Sequence, residues 1–217
     1  MLNDYLEAYT LSVVLIGDFN PAIVQPFWLA NRKLIREQEA QNAKIDIVHN
    51  EISKFSIGWA SIEVTRDRFE IKTSQAPYFE PLRDLVVEIF KILKETPLKS
   101  FGLNHLKYFD LRDKEHHYNF GDKLAPLNNW NQNLNDPRLF NLEIVEIQRK
   151  DGKKGQYRIR VQPPDIQLST NFGVLININD HLDLETENII TKFSENWDLS
   201  FKRAEDVSES IWQKVNS

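Results

Sequence analysis

Five histidines and no cysteine bound the chemistry this chain can attempt. Without thiols there is no cysteine nucleophile, disulfide or thiolate metal site, so acid–base work or metal binding falls to imidazoles and carboxylates. The densest such cluster is Asp180-His181-Leu182-Asp183 with Glu185, placed where an apolar run ends. An Asp–His pair at a strand end can hold a metal or move a proton. The same residues also suit a plain strand end leading into a helix, whose exposed N–H groups favour carboxylates. On that reading Thr186 is the N-cap and the helix begins at Glu187. His116 and His117 are poor joint ligands, because neighbouring side chains face opposite ways on a strand and diverge by about 100° on a helix. His105 lies on the apolar face of a strand and reads as a core histidine with one hydrogen-bond partner. His49 has no distinctive neighbour.

A basic hairpin is the one electrostatic anomaly in a chain of net charge −5. Arg149, Lys150, Lys153, Lys154, Arg158 and Arg160 fall within twelve residues, with Tyr157 among them. Solvated cations guarding a hairpin tip would look like this, as would a surface for an acidic protein or for phosphates. An overall pI near 5.6 argues against a general nucleic-acid binder, and no aromatic RNA-binding signature or helix-turn-helix spacing accompanies the cations. Trp130, in an irregular Asn-rich stretch, offers the large apolar anchor typical of binding hot spots. Trp130, Arg149, Lys150, Lys153, Lys154, Tyr157 and Arg158 are therefore the expected partner-binding residues. No nucleophile elbow, phosphate loop, dinucleotide fingerprint or zinc spacing occurs, so no catalytic residue, metal site or cofactor is expected.

The elements that must carry these residues follow from periodicity. A β-branched apolar run at 11–16 predicts a buried strand ending at Gly17-Asp18. A helix is expected over 27–40, with Phe27, Ala30, Leu34 and Ile35 on one face and Pro26 interrupting any earlier start. Alternation over 55–64 changes parity, which predicts a bulge near Ala60-Ser61; a turn at 65–68 and a return through Phe69 and Ile71 follow. A second helix spans about 79–95, stopped by Thr96-Pro97, and a strand places Phe101, Leu103, His105 and Phe109 on one face. The pattern fails over 113–137, where Phe120, Leu124, Leu127, Trp130 and Leu134 favour a wrap over the sheet. Strands at 142–147 and 157–161 flank Asp151-Gly152, a hairpin signal, and a last strand lies at 172–178. The closing helix, about 187–215, repeats Ile190, Phe193, Trp197, Phe201, Ala204, Val207, Ile211 and Val215 at steps of three and four.

The segment 55–69, with Gly58-Trp59, Val64-Thr65 and Arg68-Phe69, resembles a sporadically distributed family of bacterial proteins of unassigned function. Tyr78-Phe79 through Pro81-Leu82-Arg83-Asp84-Leu85, and Phe101-Gly102-Leu103-Asn104, carry the same resemblance. So do Gly121-Asp122-Lys123-Leu124-Ala125-Pro126 with Trp130, and Ile178-Asn179-Asp180-His181 ahead of the long helix. These are mostly sheet, turn and core positions, and the resemblance brings no catalytic residue. What it implies is context: accessory genes such as mobile-element, toxin-related or phage-defence cassettes.

The 217 residues, 41% hydrophobic and 27% charged, suit a globular domain. Residues 1–7 carry Asp4 and Glu7 and do not form a signal peptide, and no apolar run approaches the ~20 residues of a membrane span, so a cytoplasmic protein without membrane contact is expected. The expected fold is a single α+β domain over 1–217: a curved, mainly antiparallel sheet with helices on one face and a long C-terminal helix. Its halves would be 1–112 and 138–217, joined by 113–137. The expected function is that of a non-enzymatic interaction subunit, bound to a protein partner in a bacterial accessory or defence assembly. One alternative is a ligand-binding or hydrolytic protein with a pocket between sheet and long helix, using His105, Asp180 and His181. The other is a nucleic-acid adaptor using the basic hairpin.

Overall fold

The structure, a computed structural model, describes residues 2–184 and 189–216. Its strands are β1 (Leu6–Gly17), β2 (Lys44–Val48), β3 (Ile52–Ile57), β4 (Ala60–Thr65), β5 (Arg68–Thr73), β6 (Leu98–Asp110), β7 (Leu142–Glu146), β8 (Gly155–Gln162) and β9 (Gly173–Asp183). The helices are α1 (Pro26–Asn31), α2 (Glu37–Gln41), α3 (Phe79–Ile92), α4 (Lys114–Leu124) and α5 (Ile189–Asn216). All strands join one antiparallel sheet in the order β2-β3-β4-β5-β1-β6-β9-β8-β7. The two longest strands, β1 and β6, pair at its centre, from Leu6↔Phe109 to Gly17↔Leu98.

Outward from that pair the chain repeats itself. A long strand, a helical connection, a series of antiparallel strands and a closing helix occur twice, first as β1 to α3 and again as β6 to α5. In each half the strand that closes the series returns beside the long strand. The repeat therefore divides the chain just before Leu98, and the strand carrying His105 opens the second half instead of ending the first.

Alternation assigns every strand side chain to one of two faces. Leu11, Val13 and Leu15 of β1, Phe69 and Ile71 of β5, Phe101 and Leu103 of β6, and Ile176 and Ile178 of β9 are almost fully buried under the helices. All five helices contribute to the core on this face: Leu29 and Ala40 of α1 and α2, Leu82, Val86 and Ile89 of α3, Phe120 of α4, and Phe193, Trp197 and Ala204 of α5. In the α5 stripe the small residues Ser200 and Ser208, each 1% exposed, lie on either side of the buried Ala204. Ile190, Phe201, Val207 and Ile211 complete the stripe as half-buried positions. Thr186 and Glu187, the expected start of this helix, lie outside the described residues.

Four local expectations are corrected. The helix at 27–40 is two short helices: Pro26 serves as the first residue of α1, and Lys33 takes φ 61°, which ends the run before α2. The parity change near Ala60 is no bulge; Gly58-Trp59 forms a two-residue turn and Ile57 pairs directly with Ala60. The 113–137 connection begins as helix α4, whose N-cap Asp113 accepts the His116 backbone N–H at 2.9 Å. The Asp151-Gly152 turn sits inside the longer loop 147–154, because β8 starts only at Gly155. There φ is 128° and a Cβ would come within 2.1 Å of the His181 carbonyl, so only glycine fits. Strand β2 had not been anticipated.

Trp197 is 1% exposed, packs edge-on against Phe193 and donates its indole N–H to Glu80 on α3 at 2.9 Å. Trp197→Ala should lower stability by about 3–5 kcal/mol in denaturant unfolding. A near-neutral result would show that α5 is not docked in this way.

Candidate functional site

The residues singled out for chemistry divide between the two faces. His105 points under α5 and is fully buried, its Nδ1 beside the Tyr9 hydroxyl and its Nε2 3.0 Å from Ser200 Oγ. Phe201 packs edge-on against the ring at 4.9 Å, so side chains fill the interval between sheet and helix here. Burial holds the imidazole neutral, with its pKa lowered to about 3; the nearby Lys107 charge acts the same way, and the Asp180 carboxylate opposes both.

Asp180 also faces the helices. Its carboxylate accepts from Arg149 Nη1 at 2.5 Å and from Asn196 Nδ2 of α5 at 3.0 Å. Arg149 bridges onward to Asp151 and to the His181 carbonyl. The Arg149 hydrogen bond is the largest cause of the Asp151 pKa being lowered to about 2. The guanidinium is held firmly charged because these carboxylates outweigh the cost of its burial. His181, next in β9, faces the other way and meets Asp183 at 3.1 Å. The expected trio of His105, Asp180 and His181 is thus split, and Asp180 and His181 lie within β9 instead of after a strand.

The basic hairpin is likewise dispersed. Arg149 and Tyr157 are buried, at 7% and 1% exposed, and the Tyr157 ring has Arg203 of α5 stacked 3.9 Å from its centroid. Lys153 donates to Asn196 at 2.7 Å, while Arg158 and Arg160 both pair with Glu143 of β7. Lys150 and Lys154 are exposed. Trp130 is 54% exposed in the turn after α4. His116 pairs with its cap Asp113, His117 lies beside Phe120 in a small cleft, and His49 Nδ1 accepts the Glu51 N–H.

A broad concavity lies on the helix-free face. A groove of about 620 Å³ crosses β4, β5, β1, β6 and β9. Its floor is made of side chains that alternate away from the core: Thr10 and Ser12 of β1, Asn104 and Leu106 of β6, Asn177 of β9. Arg68, Glu70 and Lys72 of β5 flank them, and the Gly58-Trp59 turn closes one end. The opposite wall is the loop 163–172. Leu168 packs against Tyr108 and Leu175, Asp165 accepts the Tyr108 hydroxyl at 2.8 Å, and Thr170 donates twice to Asp110.

Several floor groups already have partners: Thr10 meets Ser74, Ser12 donates to Glu70, and Asn179 donates to Asn104. Asn177 Oδ1 is buried and has none. Arg68 pairs with Glu70, Lys54 with Glu63, and Arg158 and Arg160 with Glu143, while Lys72 of the groove lining makes no ion pair among the described residues. Polar and apolar side chains share the lining, in which Arg68 and Lys72 are balanced by Glu70 and Asp165. Sequence reading missed it because strand residues such as Ser12, Asn104 and Asn177 look like ordinary solvated positions until pairing gathers them.

Among the described residues no three His, Asp or Glu side chains gather as a metal-ligand set, and no helix is long and apolar enough to cross a membrane. No family model matches the chain, and no curated protein matches it.

The His105 environment has a pH consequence. Its pKa is lower folded than the ordinary 6.5, so below pH 6.5 the unfolded chain binds a proton that the folded chain refuses. The stability it contributes is complete above pH 6.5 and is lost as pH falls towards 3. With any folded value below 5, the loss between pH 7 and pH 5 is about 2 kcal/mol. Denaturant midpoints should fall accordingly, and His105→Gln should flatten the profile over this interval. An equal slope in the variant would remove His105 as its source.

Proposed function

We propose that the chain is a non-enzymatic interaction subunit whose working surface is the helix-free face of the sheet. There it receives an extended, uncharged polar segment of a partner protein, in the kind of accessory assembly the resemblance implies. The observation that carries this reading is the groove over the central strands, floored largely by hydroxyls and amides. Such groups in a concavity exchange hydrogen bonds to water for hydrogen bonds to an incoming segment. A polypeptide supplies donors and acceptors along its length, and uncharged polar side chains suit a lining whose two cations are balanced by two carboxylates. That balance also argues against phosphate: a nucleic-acid face needs an excess of cations to displace counterions. Hydrolytic chemistry finds less support, because His105 and Asp180 are committed to holding α5 and His181 lies on the opposite face.

The test is affinity capture of the native complex followed by binding kinetics of two variants. Asn104→Ala with Asn177→Ala should weaken binding at least about tenfold, roughly 1.4 kcal/mol, with folding unchanged. Trp130→Ala with Lys150→Glu should leave affinity as it was. The reverse pattern would move binding to the hairpin and the Trp130 segment and sink the reading.

A further inference from the structure

The two edges of the sheet are built differently. At one edge β2 carries Lys44 and Asp46, and its register against β3 shifts between Ile45 and Ile47. Charges and a bulge are the usual guards against pairing with another chain. At the other edge β7 has no lysine, proline or bulge, and it pairs regularly with β8 from Leu142↔Val161 to Glu146↔Tyr157. Ile144 is 54% exposed, and Val145, Ile147 and Phe140 around it are exposed as well. The two charges of the strand are held by their own chain, Glu143 by Arg158 and Arg160 of β8 and Glu146 by Arg203 of α5. Among the described residues no other strand pairs with this edge.

We propose that β7 pairs antiparallel with β7 of a second copy of this chain, about a two-fold axis that runs perpendicular to the sheet between the two opposed Ile144 residues. Such an axis keeps the helix-covered faces on one side, so residues of like parity must oppose each other. The register centred on Ile144 is the one that keeps all five strand residues paired. It sets Ile144 against Ile144, Glu143 against Val145 and Leu142 against Glu146, with no like charges opposed. The equivalent register for β2 sets Asp46 against Asp46, which is repulsive. Self-complementarity at one edge and guarding at the other make a closed pair and not a filament, because the edges left free after pairing are the two β2 strands.

Sedimentation or light scattering over a concentration series should give twice the chain mass. Ile144→Lys places like charges on the axis and should yield a folded monomer, judged by circular dichroism. Mixing Ile144→Lys with Ile144→Asp chains should recover the dimer, whereas Asp46→Ala should leave it unaltered. A wild-type chain that stays monomeric throughout, or a dimer indifferent to folded Ile144→Lys, overturns the proposal. If the variants do not fold, hydrogen exchange of the unmodified chain decides. Amides within 142–146 should exchange at least about tenfold more slowly in the concentrated than in the dilute sample, and equal rates refute the pairing.

Discussion

Side chains on a strand alternate between the faces of a sheet, and here the α-helices cover only one face, so alternation decides which residues can act together. Val13 and Ser12, Leu103 and Asn104, Ile178 and Asn177 are neighbours in sequence that belong to different environments. Because β1 and β6 pair centrally over most of their length, a one-residue slip between them would turn the groove floor into the core and the core into the groove. The register is fixed by apolar burial beneath α3 and α5, while polar pairs on the other face tie β1 to β5 and β6 to β9. The same rule removes the Asp180-His181 constellation: adjacent residues inside a regular strand cannot share a site.

The covered face is not purely apolar, and its polar members locate α5. His105 meets Ser200, Lys107 pairs with Glu205, Asp180 holds Asn196, and Arg203 lies over Tyr157 while pairing with Glu146. A buried charge without a partner is costly, so each pair disfavours sliding or rotation of the helix along an otherwise smooth apolar stripe. Ser200, Ala204 and Ser208 let the backbone approach closely enough for these side chains to meet. The carboxylates and imidazole that looked like candidates for chemistry thus specify how the longest helix lies on the sheet.

What the sequence disclosed follows the same physics. Strong periodicity made the core strands, α3 and the α5 stripe legible, because burial forces it. Strand β2 escaped notice since an exposed edge is under no such pressure, and all five of its residues are exposed. The break between α1 and α2 depends on Lys33 adopting a left-handed backbone, which no residue type there announces. Asp113 three residues ahead of His116 is a readable N-cap signal. The basic hairpin misled for another reason: a run of cations in sequence says nothing about carboxylates that arrive from elsewhere, as Asp180 does for Arg149 and Glu143 for Arg158 and Arg160. The groove lay beyond reach, because its floor combines strands about 160 residues apart in the chain.

The two proposed surfaces bear on each other through geometry. A two-fold axis perpendicular to the sheet leaves both helix-free faces on the same side, so two copies would present two grooves facing one way. A partner carrying two suitable segments would then bind the second at the effective concentration set by the linker between them, and gain avidity without any new contact. The groove ends at β9, two strands in from the β7 edge, so the two grooves would face the same way with the paired β8 and β7 strands of both copies between them. Each groove alone offers a few hydrogen bonds and little apolar area, which suits modest affinity per site. Pairing through β7 would supply by geometry the affinity that a polar, charge-matched groove lacks by chemistry.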